Sequence, residues 1–182
     1  LDKELEKRGH SFCRYADDFS IYVRSRKAGE RVYESITSFI ERKLKLKVNK
    51  EKSKVDRSYR RNFLGYGFTS EKQTRLRVPK ESISRLHAKV KRECRKGRGM
   101  NIESFIVKSL NPILRGWANY YKLVETHTFA KTLDIWVRRR LRVIYWRQWK
   151  RPWTRYKKIR KAGLSHVEAM MSAYNQRGCW WN

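Results

Sequence analysis

Two adjacent carboxylates, Asp17 and Asp18, interrupt two β-prone runs, Phe12-Cys13-Arg14-Tyr15 before them and Phe19-Ser20-Ile21-Tyr22-Val23 after them. Aromatic and β-branched residues dominate both flanks, and the break is too short for anything but a tight turn, so the acids sit at a hairpin tip. An ordinary hairpin turn would more readily use Asn-Gly or Asp-Gly, because neighbouring carboxylates repel each other. A hard cation relieves that repulsion. A pair of Mg2+ ions is the natural candidate: Mg2+ takes oxygen ligands, accepts one or two protein carboxylates, and completes its shell with water and substrate phosphates. An Asp-Asp pair also occurs in plain solvated turns, so the residues around it have to narrow the reading.

Tyr15-Ala16-Asp17-Asp18 between apolar strands resembles the Tyr-x-Asp-Asp box of reverse transcriptases, and Ala at the second position is similar to the group II intron branch of that family. Asn49-Lys50-Glu51-Lys52-Ser53 and Phe63-Leu64-Gly65-Tyr66-Gly67-Phe68 follow in the family's order and spacing. The resemblance implies two-metal transfer of a deoxynucleotide to a primer 3′-hydroxyl on an RNA template. Asp17 and Asp18 would be the catalytic metal ligands, with a third carboxylate expected upstream. Tyr15, Ala16 and Lys52, together with Leu64, Gly65 and Tyr66 of the primer grip, would face nucleotide and primer-template. Read without the family, the lysine cluster is a short strand running into a solvated face. The glycine-rich run is then a core strand with two bends, whose glycines admit a close backbone approach.

The chain has 46 Lys and Arg against 17 Asp and Glu in 182 residues, a net charge of +29. Self-repulsion of that size is relieved by a polyanion, which selects nucleic acid over a small acidic substrate. A hydrophobic content of 40% supports one or two packed cores rather than a disordered basic tail. Cys13, Cys94 and Cys179 lie far apart and form no CxxC pair, so neither a zinc module nor a disulfide framework is indicated, and a reducing cytoplasm fits. The longest run without a charged residue is nine residues, 62–70, too short for a membrane span, and no signal peptide is evident, so a soluble, unexported protein with no membrane partner is expected. The first residue is Leu and a catalytic hairpin follows at once, so the chain reads as the C-terminal part of a longer protein. Alone, it is expected not to extend a primer.

The hairpin needs a scaffold. Residues 1–10 read as a helix end with Leu1 and Leu5 on one face and Gly9 as its stop. Residues 30–44 place Val32, Ile36, Phe39, Ile40 and Leu44 on one face of a helix that backs the hairpin. After a polar turn near 69–79 the chain becomes helical: a helix after Pro79 with Ile83, Leu86, Val90 and Cys94 buried, ended by Lys96-Gly97-Arg98-Gly99; a second from Asn101; a third opened by Asn111-Pro112.

Residues 135–167 contain no acid in 33 residues and twelve Lys or Arg. A long helix from Thr128 to about Trp149 is predicted, with Phe129, Leu133, Trp136, Val137, Leu141, Ile144 and Tyr145 as its packed stripe. Lys131, Arg138, Arg139 and Arg142 turn outward, without compensating acids at i±4, and are relieved by phosphates. Arg147, Lys150, Arg151 and Trp153 extend the RNA-binding set, and Trp146, Trp149 and Trp153 supply stacking surfaces.

This half, from Leu110-Asn111-Pro112-Ile113-Leu114-Arg115-Gly116-Trp117 to Arg177-Gly178-Cys179-Trp180-Trp181, resembles the thumb and maturase-specific domain of group II intron-encoded proteins. It implies group II intron RNA and an RNA template/cDNA duplex as partners, target DNA as a further one, and a role in intron splicing and mobility. The fold expected is α+β: a palm remnant over 1–79, built of a β-hairpin, a helix and short strands, then a mostly α-helical thumb and maturase domain over 80–182. A non-catalytic RNA-binding splicing cofactor, and a retron, CRISPR-linked or defence reverse transcriptase, are the alternatives. The intact Asp pair weighs against the first and the maturase-like half against the second.

Overall fold

The computed structural model describes residues 1–125 and 128–175. The Arg177-to-Trp181 motif and Cys179 lie outside the described residues. The chain divides into two compact units, Leu1–Thr74 and Arg75–Asn182.

In the first unit, α1 (Asp2–Lys7) ends as its glycine requires, with Gly9 at φ +67°. The strands β1 (Ser11–Tyr15) and β2 (Asp18–Tyr22) pair antiparallel with Tyr15 opposite Asp18. Behind them lies α2 (Arg26–Arg42), which starts earlier than its apolar spacing suggests because the Ser25 side chain accepts the Ala28 N–H at 3.2 Å and caps it. Leu5, Ile36 and Ile40 are buried together, with Phe12, Phe19, Ile21, Val32 and Phe39 packed on them. Leu44, expected on this face, is instead 38% exposed. The helix is over by Lys43, and Lys45 turns the chain away at φ +53°. Gly29 is buried in α2, where a Cβ would lie 2.7 Å from Val55 Cγ1.

Two expected strand segments take other forms. The 47–55 stretch is not a strand: the Asn49 side chain accepts the N–H groups of Glu51 (3.1 Å) and Lys52 (3.2 Å) and bends the chain into a turn. The 63–68 run is not one bent strand but a hairpin of β3 (Asn62–Phe63) and β4 (Tyr66–Phe68), with Phe63 opposite Tyr66.

The second unit opens with a short strand, β5 (Leu76–Arg77), and is otherwise helical. Its first helix, α3 (Lys80–Lys96), buries Ser82, Leu86, Val90 and Cys94 on one face. Gly97 at its end has an ordinary φ of −67°; the glycine is needed for space, because a Cβ there would meet the Phe105 ring at 2.7 Å. Asn101 caps α4 (Ile102–Phe105), accepting the Ser104 N–H at 3.0 Å. No new helix begins at Asn111-Pro112. The chain runs through a π-helical turn, Ile106–Leu110, into α5 (Asn111–Tyr120), with Asn111 in helical conformation. The wider turn absorbs Pro112, which lacks the N–H that a regular ladder would use.

The long helix α6 (Thr128–Gln148) is present over the predicted range. Its Val137 and Ile144 join Leu86, Val90, Cys94, Ile102, Phe105 and Leu110 in the main core, with Leu133, Trp136, Leu141 and Tyr145 packed around them. The last helices, α7 (Pro152–Lys161) and α8 (His166–Tyr174), share a smaller core of Ile159, Ala169 and Ala173. A capping box opens α8: Ser165 Oγ accepts the Glu168 N–H and Glu168 Oε2 accepts the Ser165 N–H at 3.0 Å, which lowers the Glu168 pKa. No described helix is long and apolar enough to cross a membrane.

Candidate metal site and nucleic-acid interface

The register of β1 and β2 leaves a two-residue loop, Ala16-Asp17. Only its first residue has a positive φ, Ala16 at +53°, the pattern of a type II′ turn, which normally uses glycine there. The Cβ of Ala16 therefore makes this a strained turn, at a cost on the order of 1 kcal/mol. What holds it is Arg14. Its guanidinium donates to the Ala16 carbonyl at 2.7 Å and to Asp2 through Nε (2.6 Å) and Nη2 (2.7 Å), tying the tip of the hairpin to α1. The hydrogen bond to Arg14 is also the main reason that the Asp2 pKa is lowered and the Arg14 pKa raised.

That arrangement leaves Asp17 and Asp18 exposed and adjacent, with Tyr15, 65% exposed, across the ladder from Asp18. The nearest cation in sequence, Arg14, is committed to Asp2 and to the backbone. Among the described residues no ion pair involves either acid, and no group of three metal-ligating side chains forms. Two oxygen donors without a cationic neighbour are the donor set that suits Mg2+ rather than a soft metal.

Lys52 sits exposed on the Asn49 turn, and its carbonyl accepts Arg61 Nη2 at 2.8 Å. Arg61 immediately precedes β3, so one side chain links the lysine turn to the Leu64-Gly65 hairpin. Sequence reasoning missed both Arg14 and Arg61, although each lies within a few residues of a motif. In the second hairpin Leu64 (φ +47°) and Gly65 (φ +73°) are both left-handed, as a type I′ turn requires. Gly65 thus serves the turn rather than a close approach by a ligand. Both motif hairpins carry a non-glycine residue in the left-handed region.

The cationic surface of the second unit differs from its expected form in three ways. Arg138 and Arg139 are exposed, but Arg138 has an acid at i−4 after all: its Nε lies 2.8 Å from Asp134 Oδ2. Arg142 is half-buried rather than turned outward. Trp146 and Trp149 are not open stacking surfaces; they pack against the core of Ile159, Ala169 and Ala173. Arg155 secures this junction by donating to the carbonyls of Trp149 (2.8 Å) and Trp146 (3.4 Å), satisfying the end of α6. Arg147, Lys150 and Arg151 are exposed, as is Trp153 at 54%, stacked on Tyr156 with ring centroids 5.0 Å apart and Lys157 Nζ 5.3 Å from the indole.

Residues 1–68 match the family model described as "Reverse transcriptase (RNA-dependent DNA polymerase)", and residues 83–163 match "Group II intron, maturase-specific domain". The first match contains both strained hairpins and the second contains α6 and α7. No curated protein matches the chain.

Proposed function

The chain belongs to the group II intron reverse transcriptases and maturases, and on that premise we propose that Asp17 and Asp18 hold the metal of nucleotidyl transfer while α6 and α7 bind the intron RNA. The family generally uses Mg2+, and its two domains imply binding of intron RNA and RNA templates. The observation that carries the reading is the hairpin tip: two adjacent exposed carboxylates, placed by a strained turn whose neighbouring arginine is occupied elsewhere.

In the reaction, the primer 3′-oxygen forms a bond to the α-phosphorus of the incoming deoxynucleotide and pyrophosphate leaves. Bound Mg2+ supplies positive charge that acidifies the attacking hydroxyl and neutralises the phosphates. This chain's own part is positional. Asp17 and Asp18 fix the ion from adjacent backbone positions, and Arg14 keeps their turn from relaxing. Tyr15 and Ala16 line the same tip, Lys52 offers a mobile point charge to phosphates, and the Leu64-Gly65-Tyr66 hairpin holds the primer end. On the helical side Arg138, Arg139, Arg142, Arg147, Lys150 and Arg151 neutralise RNA phosphates, and Trp153 offers its exposed ring to a base.

Primer extension on an RNA template, by a polymerase-competent protein carrying this sequence, tests the metal assignment. Asp17→Asn and Asp18→Asn should each lower extension by orders of magnitude, since a lost metal ligand removes several kcal/mol of transition-state stabilisation, and RNA affinity should persist. Full activity in both variants would move the metal site elsewhere.

A further inference from the structure

Four cations from two helices converge on one cleft in the helical unit, and none of them belongs to the RNA-facing set read from the sequence. Lys91 and Arg95 of α3 and Arg98 of the 3-10 turn that follows recur at i, i+4 and i+7, on the edge of α3 that faces α6. Arg140 contributes from α6, and the floor is Cys94 and Ile144. The cleft measures about 190 Å³, room for a phosphate and its sugar and too little for a helix.

No acid lines it. The neighbouring Glu93 is drawn away to Lys96 (3.0 Å) and Arg92 (3.7 Å). The floor is electrically neutral as well, because burial pushes the Cys94 thiol up from its ordinary pKa. Arg140 is held in place by stacking: its guanidinium carbon lies 5.1 Å from the Trp136 ring, and His87 stacks on the same indole at 4.2 Å and 18°. Burial, and then the Arg140 charge, lower the His87 pKa, which favours the uncharged imidazole in this stack. A pre-oriented arginine with three lysine and arginine side chains across a neutral floor is a site for a singly or doubly charged oxyanion.

We infer that the cleft between α3 and α6 binds a backbone phosphate of the RNA, a contact separate from the exposed α6 and α7 cations and blind to base identity. The inference rests on the RNA-binding reading of the helical unit and adds to it a built, two-helix phosphate site. The phosphate chemistry is shared by free nucleotides, so the test separates the two sources.

The variant is K91Q/R95Q/R98Q, in which glutamine preserves helix propensity at three exposed positions and should leave thermal melting unchanged. Binding of a fluorescein-labelled RNA stem-loop is measured against salt. The log-log slope should flatten by about two units, at roughly 0.7 to 0.9 per lost phosphate contact. A second readout places the ligand: in a chain with Cys13→Ser and Cys179→Ser, saturating RNA should slow alkylation of Cys94 by N-ethylmaleimide several-fold, and the triple variant should lose that protection. An unchanged slope with no Cys94 protection, while R138Q/R139Q/R147Q still flattens the slope, overturns the cleft and leaves the RNA-binding reading standing. If the unaltered chain does not bind the stem-loop and neither triple changes anything, the RNA-binding reading itself falls. Protection of Cys94 by ATP but not by RNA would assign the cleft to free nucleotides and overturn the RNA contact.

Discussion

The two units carry their proposed chemistry in opposite ways. In Leu1–Thr74 it is concentrated at the tips of two-residue turns, where Ala16 and Leu64 are held in backbone conformations they would not choose. In Arg75–Asn182 it is spread over helix faces whose opposite sides form a larger apolar core. The difference follows from the ligands. A metal ion needs two carboxylates placed to a fraction of an ångström, and a short strained turn braced by Arg14 supplies that at small cost. A polyanion tolerates many weak contacts, so regular helices with interchangeable cations suffice.

The largest effect on stability should come from the helical core. Phe105, 1% exposed and pressed against Gly97, should cost about 3 to 5 kcal/mol as Phe105→Ala. Gly97→Ala should cost on the order of 1 to 3 kcal/mol, because the new methyl group meets a ring rather than a flexible chain end. Chemical denaturation of the pair measures both. A neutral Gly97→Ala would mean that the glycine is only a helix stop.

A smaller effect should separate the turn from the core. Ala16→Val, a β-branched residue forced to positive φ, should destabilise by roughly 1 to 2 kcal/mol, whereas Ala16→Gly should not destabilise at all. If Ala16→Gly lowers the denaturation midpoint appreciably, strain at the tip is the wrong account and the contrast between the units weakens.

The smallest is a pH effect in the helical unit. The folded pKa of His87 lies below its unfolded value near 6.5, so the unfolded chain binds the proton more readily. Its contribution to stability is therefore present above that value and is lost as pH falls toward the folded pKa. Thermal melting of the native chain should drop between pH 7.5 and 5.5 by more than that of His87→Gln. Equal drops would show that the Trp136 stack imposes no penalty on the imidazolium.

Much of this was legible from residue order. The Tyr15-to-Asp18 hairpin, the apolar faces of α2 and α3, and the span of α6 each depend on interactions between residues close in sequence, where a period of two or of 3.6 residues is enough. The departures arose where a side chain answered to something local that periodicity does not weigh. Asn49 captured two backbone N–H groups and turned a strand into a loop, and the paired left-handed residues Leu64 and Gly65 folded one run into two strands. The Asp134 partner of Arg138 was visible in the sequence at i−4, just outside the acid-free stretch on which the reading concentrated.

By itself, then, the order of residues determined the α+β character, the carboxylates at a turn, and a cationic helical half, because all three follow from short-range geometry and charge. Tertiary structure alone decided which cations remain available and which are spent. Packing draws Arg14 to Asp2 and Arg155 to the end of α6, buries Trp146 and Trp149, and gathers Lys91, Arg95, Arg98 and Arg140 around one cleft. Those outcomes join residues distant in the chain, and the choice between them is made by how helices and turns fill space, which no spacing of identical charges along the sequence encodes.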